Sequence, residues 1–368
     1  MSTKKDKFSI KDKDYMKLAI DLAKVRKGLT GKNPSVGCLI IKDDKIISIG
    51  QTGYNGQPHA EFNAINNSFQ NLSGATMYVT LEPCNHYGKT PPCTKSIIKS
   101  GIKEVFYPIN DIDNKVKGKS FKILTKKNIK VKRGLLKNEA LDLYESYMIN
   151  RKHKLPFVTA KIAISKNKLI YSEKVKRITD QTSDKLSHYL RYKNDAIMIS
   201  SNTLNIDNPK LNCRLNGYEK FSPKRIILDK NLDIGESTYV FKSAKKNNTI
   251  IFHNTANRSK IRILKKKGII LIKTQLDTEK KFNIKIILKK LFSLGIRSLL
   301  VEGGDKITRN MLKNRLINQF YLFQSLKNLP KTKKHIIFSS NNILNKNYTV
   351  KSRISSKLAK DKITIYKR

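Results

Sequence analysis

Short apolar runs typical of buried strands alternate with amphipathic segments of helical spacing along most of this chain. In the first half, VGCLIIK and TMYVTLE have the composition of strands, whereas HAEFNAINNSF and TPPCTKSIIKS have that of helices. The second half repeats the pattern, with strand-like runs at DAIMIS, KRIILD, NTIIFH and SLLVEGG. This alternation predicts an α/β fold rather than an all-helical protein or a β-sandwich.

The length of the chain indicates two domains. At 368 residues it exceeds what one hydrophobic core commonly supports, since a domain holds roughly 100 to 200 residues. The polar, basic residues 150–154 are followed by Leu155 and Pro156 and then by a new strand, FVTAKIAIS. We therefore predict one domain at residues 1–150 and a second at residues 151–368.

Two features of the composition favour a cytoplasmic protein. No apolar run approaches the roughly 18 residues of a membrane span, and the charged N-terminal segment lacks the apolar stretch of a secretory signal. The four cysteines are few for this length and are expected to stay reduced in that compartment: Cys38, Cys84, Cys93 and Cys213. A disulfide between Cys84 and Cys93 is therefore the weaker interpretation of this pair.

The formal net charge of +48 admits two interpretations. Such a charge can serve nucleic acid or another acidic partner. The basic residues are, however, mostly lysines spread over the whole length together with many Asn and Ile residues, which is typical of an A/T-rich genome. We interpret most of the charge as a solvated surface and predict no specific nucleic-acid partner and no membrane partner. Short clusters at 115–119 and 265–267 are the alternative phosphate-binding candidates.

One histidine and two cysteines have the character of a zinc site. His59 and Glu61 open a helical segment, and Cys84 and Cys93 follow the next strand. Zn²⁺ binds imidazole and thiolate in tetrahedral geometry, with four protein ligands in structural sites and three in catalytic ones. Three ligands therefore favour a catalytic zinc. The alternatives are that the cysteines are core residues or that the metal is purely structural.

The expected positions of these residues suit thiolate ligands and proton transfer. His59 and Cys93 lie at helix starts, where the helix dipole favours a thiolate, and Thr90 with the two prolines after it suits a first helical turn. Glu61 is two residues from His59 and so lies on another helix face, beside a metal-bound water rather than on the metal. A carboxylate there can carry a proton to a leaving nitrogen, as hydrolytic deamination requires. The His-x-Glu and Pro-Cys elements match the signature of zinc nucleobase deaminases.

Three motifs of the first half resemble the family of bifunctional riboflavin-biosynthesis enzymes, which combine a diaminohydroxyphosphoribosylaminopyrimidine deaminase with a 5-amino-6-(5-phosphoribosylamino)uracil reductase. The motifs are NPSVGC at 33–38, HAE at 59–61 and EPCNHYGKTPPC at 82–93. The last is specific, because zinc deaminases acting on tRNA or free nucleosides typically place two residues between the cysteines. The resemblance implies a cytidine-deaminase-like αβα domain with zinc on His59, Cys84 and Cys93 and with Glu61 as the proton shuttle.

The same resemblance implies substrate contacts in this domain. His86, Lys89 and Thr90 carry donors suited to a substrate phosphate or ribose, and Asn33 is a candidate for the edge of the pyrimidine. From the residues alone, Asn33 is as well explained as a turn residue before a proline. The family pattern favours a substrate contact.

The second half resembles the reductase domain of the same family, an α/β domain with a fold similar to dihydrofolate reductase. The matching segments are FVTAKIAIS, Leu190-Arg191, DAIMIS, TLNIDNPKLNCR and VEGG. The resemblance implies an NADPH site at Ala163, Thr203, Asp207, Gly303 and Gly304, and a substrate site at Arg191, Leu211, Arg214 and Glu302. The strand, Gly-Gly turn and helix at 298–313 also suit a pyrophosphate at a helix N-terminus, whereas the G-x-G-x-x-G of a Rossmann site is missing from the sequence.

Two positions depart from the family pattern. Residues 165–169 read SKNKL instead of Ser-Leu-Asp-Gly-Lys, and Arg177 replaces a Trp. We expect Lys168 to replace the missing basic residue and Arg177 to stack on the cofactor or to pair with its phosphate. The resulting hypothesis is a homo-oligomeric, bifunctional enzyme that uses Zn²⁺ and NADPH on a small phosphorylated pyrimidine. The alternatives are a deaminase with a non-catalytic second domain and a nucleic-acid base deaminase, against which the long cysteine spacing argues.

Overall fold

The computed structural model describes residues 8–88, 91–173, 175, 177–255, 257–354 and 360–368. The chain forms two compact units, Met1–Lys154 and Leu155–Arg368. The predicted division after residue 150 falls in the last turn of a helix that ends at His153, and as a functional boundary it stays a prediction. Within the described residues, no helix has the length and apolar character needed to cross a bilayer.

The first unit is a mixed sheet with helices packed on it. Its strands are β1 (Gly37–Lys42), β2 (Lys45–Gln51), β3 (Thr76–Val79), β4 (Glu104–Tyr107) and β5 (Lys130–Arg133). Its helices are α1 (Ile10–Arg26), α2 (Ala60–Asn66), α3 (Cys93–Lys99), α4 (Lys119–Lys126) and α5 (Lys137–His153), with a short 3-10 turn at Tyr54–Gly56. The described strands lie in the order β2-β1-β3-β4-β5, with β1 antiparallel to both neighbours and the other pairs parallel.

Helices α1 and α2 pack on opposite faces of this sheet. A Cβ added to Gly37 would meet the backbone of α1, and one added to Gly50 would meet the backbone of α2. Gly50 pairs with Cys38 across the strands, so Gly37 and Gly50 face opposite sides because successive residues of a strand alternate. Strand β1 is buried over almost its whole length for this reason.

The start of α1 is fixed by a capping box. The Oγ of Ser9 accepts the N–H of Asp12 at 3.0 Å, and the Asp12 carboxylate accepts the N–H of Ser9 at 2.8 Å. The helix therefore begins at Ile10. Its buried face consists of Met16, Ala19, Ile20 and Ala23.

The second unit is built on a mostly parallel sheet. Its strands are β6 (Phe157–Ile164), β7 (Leu169–Ser172), β8 (Ala196–Ser200), β9 (Lys224–Leu228), β10 (Thr249–His253), β11 (Ile270–Lys273), β12 (Ser298–Val301), β13 (Gln319–Gln324), β14 (His335–Ile337), β15 (Val350–Ile354) and β16 (Lys362–Lys367). Its helices are α6 (Gln181–Tyr192), α7 (Ser201–Asp207), α8 (Tyr239–Lys242), α9 (Arg258–Lys266), α10 (Ile284–Ser293), α11 (Asp305–Lys313) and α12 (Asn341–Asn347), with a 3-10 turn at Glu219–Phe221. The main sheet runs β11-β10-β9-β8-β12-β6-β13-β16-β15, and β14 pairs separately with β7.

The large sheet lies between two apolar layers. Along β8, Ala196 and Met198 pack into one layer, and Ile197 and Ile199 into the other. Strands β8, β12 and β6 are adjacent and parallel, so their carboxyl ends meet at one edge of the sheet. The predicted α/β class is confirmed for both units.

Candidate active sites

Three side chains from separate segments converge in the first unit. His59 is the N-cap of α2, Cys93 is the first residue of α3, and Cys84 lies between β3 and α3. Nδ1 of His59 lies 3.3 Å from Sγ of Cys93 and 3.5 Å from Sγ of Cys84, and the three ligand atoms all lie within 4.8 Å of one another. The structure thus brings together the three residues predicted to bind zinc.

The donor set and its spacing fit a zinc ion. Nitrogen at about 2.0 Å and sulfur at about 2.3 Å from a tetrahedral zinc lie roughly 3.5 Å apart. The backbone N–H of Cys93 also donates to Sγ of Cys84 at 3.3 Å. Hydrogen bonds from Cys93 and His59 lower the pKa of the Cys84 thiol, which favours the thiolate. Among the described residues no fourth side chain joins this group, as expected for a catalytic rather than a structural site.

Glu61 lies beside this group. It is the second residue of α2, its side chain is buried, and its carboxylate is within hydrogen-bonding reach of the Cys93 thiol. Burial raises the pKa of Glu61 to about 7, against the effect of the nearby His59 charge. A carboxylate that both accepts and returns a proton is best tuned close to the working pH. The position is the one expected for a proton shuttle.

A cavity of about 560 Å³ opens at the zinc-ligand group. Small-molecule sites commonly measure about 300 to 1,000 Å³. The predicted residues in its wall are Asn33, His59, Glu61, Cys84 and His86. The wall also contains residues that the motifs did not predict: Lys32, Gln57, Glu82, Asp111, Asp113, Tyr147 and Arg151.

The predicted substrate-contact residues are partly placed by the structure. Nδ2 of Asn33 donates to the carbonyl of Gly56 at 2.9 Å, so Asn33 both holds a turn and lines the cavity. Nδ1 of His86 is buried and has no hydrogen-bond partner within the described part of the chain. Lys89 and Thr90 lie outside the described residues. The substrate contacts of all four residues stay predictions.

One buried carboxylate fixes part of the cavity wall. Glu82 accepts the backbone N–H groups of Asp111 at 3.1 Å, Gly118 at 2.9 Å and Ser120 at 3.1 Å. The hydroxyl of Ser120 in turn donates to the carbonyl of Pro83 at 2.6 Å. The segment that carries Cys84 is thereby tied to the loop that carries Asp111. An acidic residue directly before a Pro-Cys pair is the sequence signal that could have identified this role.

A smaller cavity of about 170 Å³ lies in the second unit, where β6 and β12 end and α7 begins. The predicted residues in its wall are Ala163, Thr203, Asp207, Glu302, Gly303 and Gly304. Lys161, Tyr171 and Asn202 also line it and were not predicted. The pKa of Lys161 is lowered overall, because the effect of desolvation exceeds that of the neighbouring Glu302 charge, which raises it. A lysine within an otherwise apolar strand was the available signal for this residue.

The turn from β12 into α11 fits the phosphates of a dinucleotide. Gly304 is the N-cap of α11, and within the described residues no side chain caps the first N–H groups of the helix. A Cβ on Gly303 would lie 2.2 Å from Cγ2 of Ile307, and a Cβ on Gly304 would lie 3.6 Å from Oγ1 of Thr203. Glycine therefore leaves open a cradle that a side chain would fill, next to a helix N-terminus that favours anions. These residues fit NADPH.

Arg191 and Glu302 form a largely buried ion pair at this site, with each side chain 13% exposed. Nε and Nη2 of Arg191 donate to the Glu302 carboxylate at 2.8 Å and 2.7 Å. Burial alone would raise the pKa of Glu302, but the charge and hydrogen bonds of Arg191 lower it overall. Asn212 connects both predicted arginines, since its carbonyl accepts from Arg191 at 3.2 Å and its Oδ1 accepts from Arg214 at 2.7 Å.

Several predicted residues lie away from the wall of this cavity in the described structure. Leu211 is 2 % exposed and packs in the apolar core, and Arg177 pairs with Asp184 at 3.0 Å. Lys168 lines a separate cavity of about 230 Å³. Its φ of +65° is a left-handed conformation that favours glycine, the residue that the family pattern has in this turn. The roles of Leu211, Arg177 and Lys168 stay predictions.

Two family descriptions match this chain. Residues 9–109 match the cytidine and deoxycytidylate deaminase zinc-binding region, and residues 156–361 match the RibD C-terminal domain. The riboflavin biosynthesis protein RibD of Aquifex aeolicus is 38% identical over 314 residues, which cover 85% of this chain and 86% of that protein.

Two solved structures are similar over nearly the whole length. RibD from Acinetobacter baumannii, in its form 1, has a TM-score of 0.82 at 26% identity, with 97% of this chain and 98% of that chain covered. A diaminohydroxyphosphoribosylaminopyrimidine deaminase/5-amino-6-(5-phosphoribosylamino)uracil reductase from Thermotoga maritima has a TM-score of 0.80 at 31% identity, with 97% and 98% covered.

Proposed function

This chain belongs to the RibD family of bifunctional riboflavin-biosynthesis enzymes, and from that premise we propose which of its residues perform each reaction. It is a zinc-dependent pyrimidine deaminase and an NADPH-dependent reductase. Its substrate for deamination is 2,5-diamino-6-(5-phosphoribosylamino)pyrimidin-4-one. The product, 5-amino-6-(5-phosphoribosylamino)uracil, is then reduced at its ribosyl group to the ribityl compound. The observation that supports the residue assignment most strongly is the convergence of His59, Cys84 and Cys93 beside Glu61.

In the first reaction, we assign zinc binding to His59, Cys84 and Cys93. The bound metal supplies Lewis-acid activation of the attacking water. Glu61 accepts a proton from that water and returns it to the amine at C2 of the pyrimidine, which leaves as ammonia. One water is consumed and one ammonia released, and oxygen replaces the exocyclic nitrogen.

The remaining predicted residues orient the substrate. Asn33 and His86 line the same cavity as Glu61, which supports contacts to the pyrimidine edge and the ribose. Nδ1 of His86 has hydrogen-bonding capacity left within the described structure. We assign Lys89 and Thr90, which follow His86 in the sequence, to the same substrate-binding segment.

For the second reaction, bound NADPH would supply the hydride for C1′ of the ribosyl group, and a proton from water would complete the opening of the sugar. We assign its phosphates to Gly303, Gly304 and the first turn of α11. The residues of β6 and α7 that line the same cavity, Ala163, Thr203 and Asp207, complete the cofactor site. We assign the polar substrate wall to Glu302 with Arg191 and Arg214, because Asn212 connects the two arginines.

Cellular location and assembly are also part of the proposal. The cysteines are free, and two of them are needed as thiolates, which supports a reducing compartment such as the cytoplasm. The edge strand β15 is largely exposed, and Val350 is 55% exposed, which supports coverage by a second copy of the chain. A solution mass of 42.2 kDa, that of one chain, would contradict a homo-oligomer.

The role of Glu61 is tested by replacing it with glutamine, which keeps the size but removes the proton acceptor. We expect Glu61→Gln to release ammonia about 100- to 10,000-fold more slowly. Zinc should be retained, because Glu61 is not among the metal ligands. Ammonia release and zinc content are measured on the same sample.

The matched control is Glu104→Gln. Glu104 lies on β4 and pairs with Lys132 at 3.0 Å, outside the cavity wall. This variant should keep both zinc and activity. Wild-type activity in Glu61→Gln would refute the assigned proton transfer and would favour a structural zinc site.

A further inference from the structure

The polar, basic segment 150–154 brings a cation to the deaminase cavity. From the sequence alone, this segment indicated only a domain boundary. It forms the last turn of α5 and its end. Arg151 and Tyr147, which are four residues apart and so share a helix face, both line the cavity. Lys152 is exposed and lies outside the cavity wall in the described structure.

Arg151 is held at one point and keeps donors free for a ligand. Its Nη1 lies 3.3 Å from Oδ2 of Asp113, and its side chain is 38% exposed. The Cζ atom of Arg151 lies 5.3 Å from the centre of the Tyr147 ring, so the guanidinium lies over the ring of a residue one helical turn away. Within the described residues no other polar contact to Arg151 is formed. A guanidinium has several N–H donors in a planar fork, so most of them face the cavity or solvent.

The acidic groups near Arg151 already have partners. Asp111 accepts the hydroxyl of Tyr147 at 3.0 Å and the N–H of Asp113 at 2.9 Å. Asp113 accepts the N–H of Lys115 at 3.1 Å in addition to its contact with Arg151. Lys32 adds a second cation to the cavity wall. Arg151 and Lys32 are therefore the cations of this wall that can donate to an anion.

We propose that Arg151 binds the 5′-phosphate of the deaminase substrate and thereby selects the phosphate ester over the unphosphorylated riboside. This inference rests on the proposed deaminase function, from which the phosphate follows. His59, Cys84 and Glu61 line the same cavity of about 560 Å³ as Arg151, so a pyrimidine carrying a ribosyl phosphate can contact both groups. Arginine suits this role because its planar fork matches two phosphate oxygens at once.

The test compares the phosphate ester with the riboside obtained from it by phosphatase treatment. The readout is the ratio of the two kcat/KM values for deamination. We expect Arg151→Met to lower this ratio about 10- to 100-fold, mainly through KM of the ester, as for the loss of a hydrogen bond between charged groups. Arg151→Lys, which keeps the charge without the fork, should lower it less.

Lys152→Met is the matched control, because it removes a neighbouring cation of the same helix turn that does not line the cavity. It should leave the ratio at the wild-type value. Zinc content and unfolding temperature are measured for every variant. If Arg151→Met does not fold, Arg151→Lys carries the test, and an unchanged ratio in that variant would count against the proposal.

Two outcomes would overturn the inference. Equal losses of kcat/KM for ester and riboside would leave the ratio unchanged and would mean that Arg151 acts only through the fold, by way of Asp113. Wild-type kcat/KM values for both compounds would mean that the phosphate binds elsewhere. If the wild-type enzyme deaminates neither compound, the proposed function itself fails, and this result is distinct from the other two.

Discussion

Glu82 shows how much one side chain can determine in this site. Burial raises the pKa of Glu82, and backbone N–H groups from Gly118, Asp111 and Ser120 counteract this by stabilising the charged form. The carboxylate therefore accepts from three backbone N–H groups that would otherwise need acceptors in a strand or helix. The segment with Cys84 and the cavity wall are positioned together as a result.

The grouping of the residues assigned to the zinc site could be predicted because zinc chemistry requires particular residue types in short motifs. His59, Glu61 and Cys84 lie in such motifs, and the structure groups them with Cys93 as expected. Arg151 could not be predicted in this way. It comes from the end of a helix far along the chain, its residue type is common here, and only the packing of α5 brings it to the cavity.

His188 provides a pH-dependent readout of the second unit. Its Nδ1 accepts the N–H of Arg214 at 3.2 Å. Burial is the main reason that the pKa of His188 is lowered from 6.5 to about 4. The charges of Arg191 and Arg214 also lower it, whereas the charge of Glu302 raises it. The folded state therefore binds this proton less readily than the unfolded chain does. The contribution of His188 to the free energy of unfolding is fully present above pH 6.5 and is lost as the pH falls towards about 4.

We expect His188→Gln to lose less stability than the wild type between about pH 7 and about pH 4.5, because glutamine does not titrate. Urea unfolding of the full chain at both pH values measures the difference. His153→Gln, at an exposed position at the end of α5, should follow the wild type. The same pH dependence in His188→Gln as in the wild type would contradict the assignment.

At the scale of elements, a glycine sets the distance between α2 and the sheet. A Cβ on Gly50 would lie 2.1 Å from the carbonyl oxygen of Ala60 and 2.5 Å from the nitrogen of Ala64. Both atoms belong to the backbone of α2, which carries Glu61 and has His59 as its N-cap. A glycine within a strand indicates a close approach of this kind, but the sequence does not say which helix approaches.

Gly50→Ala should push α2 away from β2 and displace His59. We expect a loss of about 1 to 3 kcal/mol in the free energy of unfolding, as for other overpacked sites, together with weaker zinc binding. Denaturant unfolding and competition with a chelator measure the two effects. Gly235→Ala is the control, since its Cβ would meet nothing closer than 3.6 Å. Wild-type stability and zinc affinity in Gly50→Ala would refute this packing argument.

The elements that the sequence did not predict lie where the sheet has little apolar cover. Strand β15 reads VKSRI, and nearly all of it is exposed, because it pairs only with β16 at the sheet edge among the described strands. Such an edge strand is formed by its backbone hydrogen bonds and lacks the alternation used for prediction. The run HIIFSS has the composition of a strand, but only His335–Ile337 forms one, in the separate pair with β7.

At the scale of the whole molecule, the residues assigned to each reaction lie within one unit. The zinc ligands, Glu61 and Arg151 belong to Met1–Lys154, whereas the residues of the NADPH cavity belong to Leu155–Arg368. Each unit also has its own apolar core. The two reactions therefore use separate sites, and the chain needs both units to complete the sequence of deamination and reduction.

The most direct test of a bifunctional chain is the stoichiometry of its two reactions. The zinc-loaded protein is incubated with the diaminopyrimidine phosphate and excess NADPH, and ammonia release and NADPH oxidation are followed in the same sample. We predict one NADPH oxidised for each ammonia released, with the ribityl compound as the final product. Release of ammonia without oxidation of NADPH, and accumulation of the deaminated but unreduced uracil, would contradict the assignment of a working reductase to the second unit.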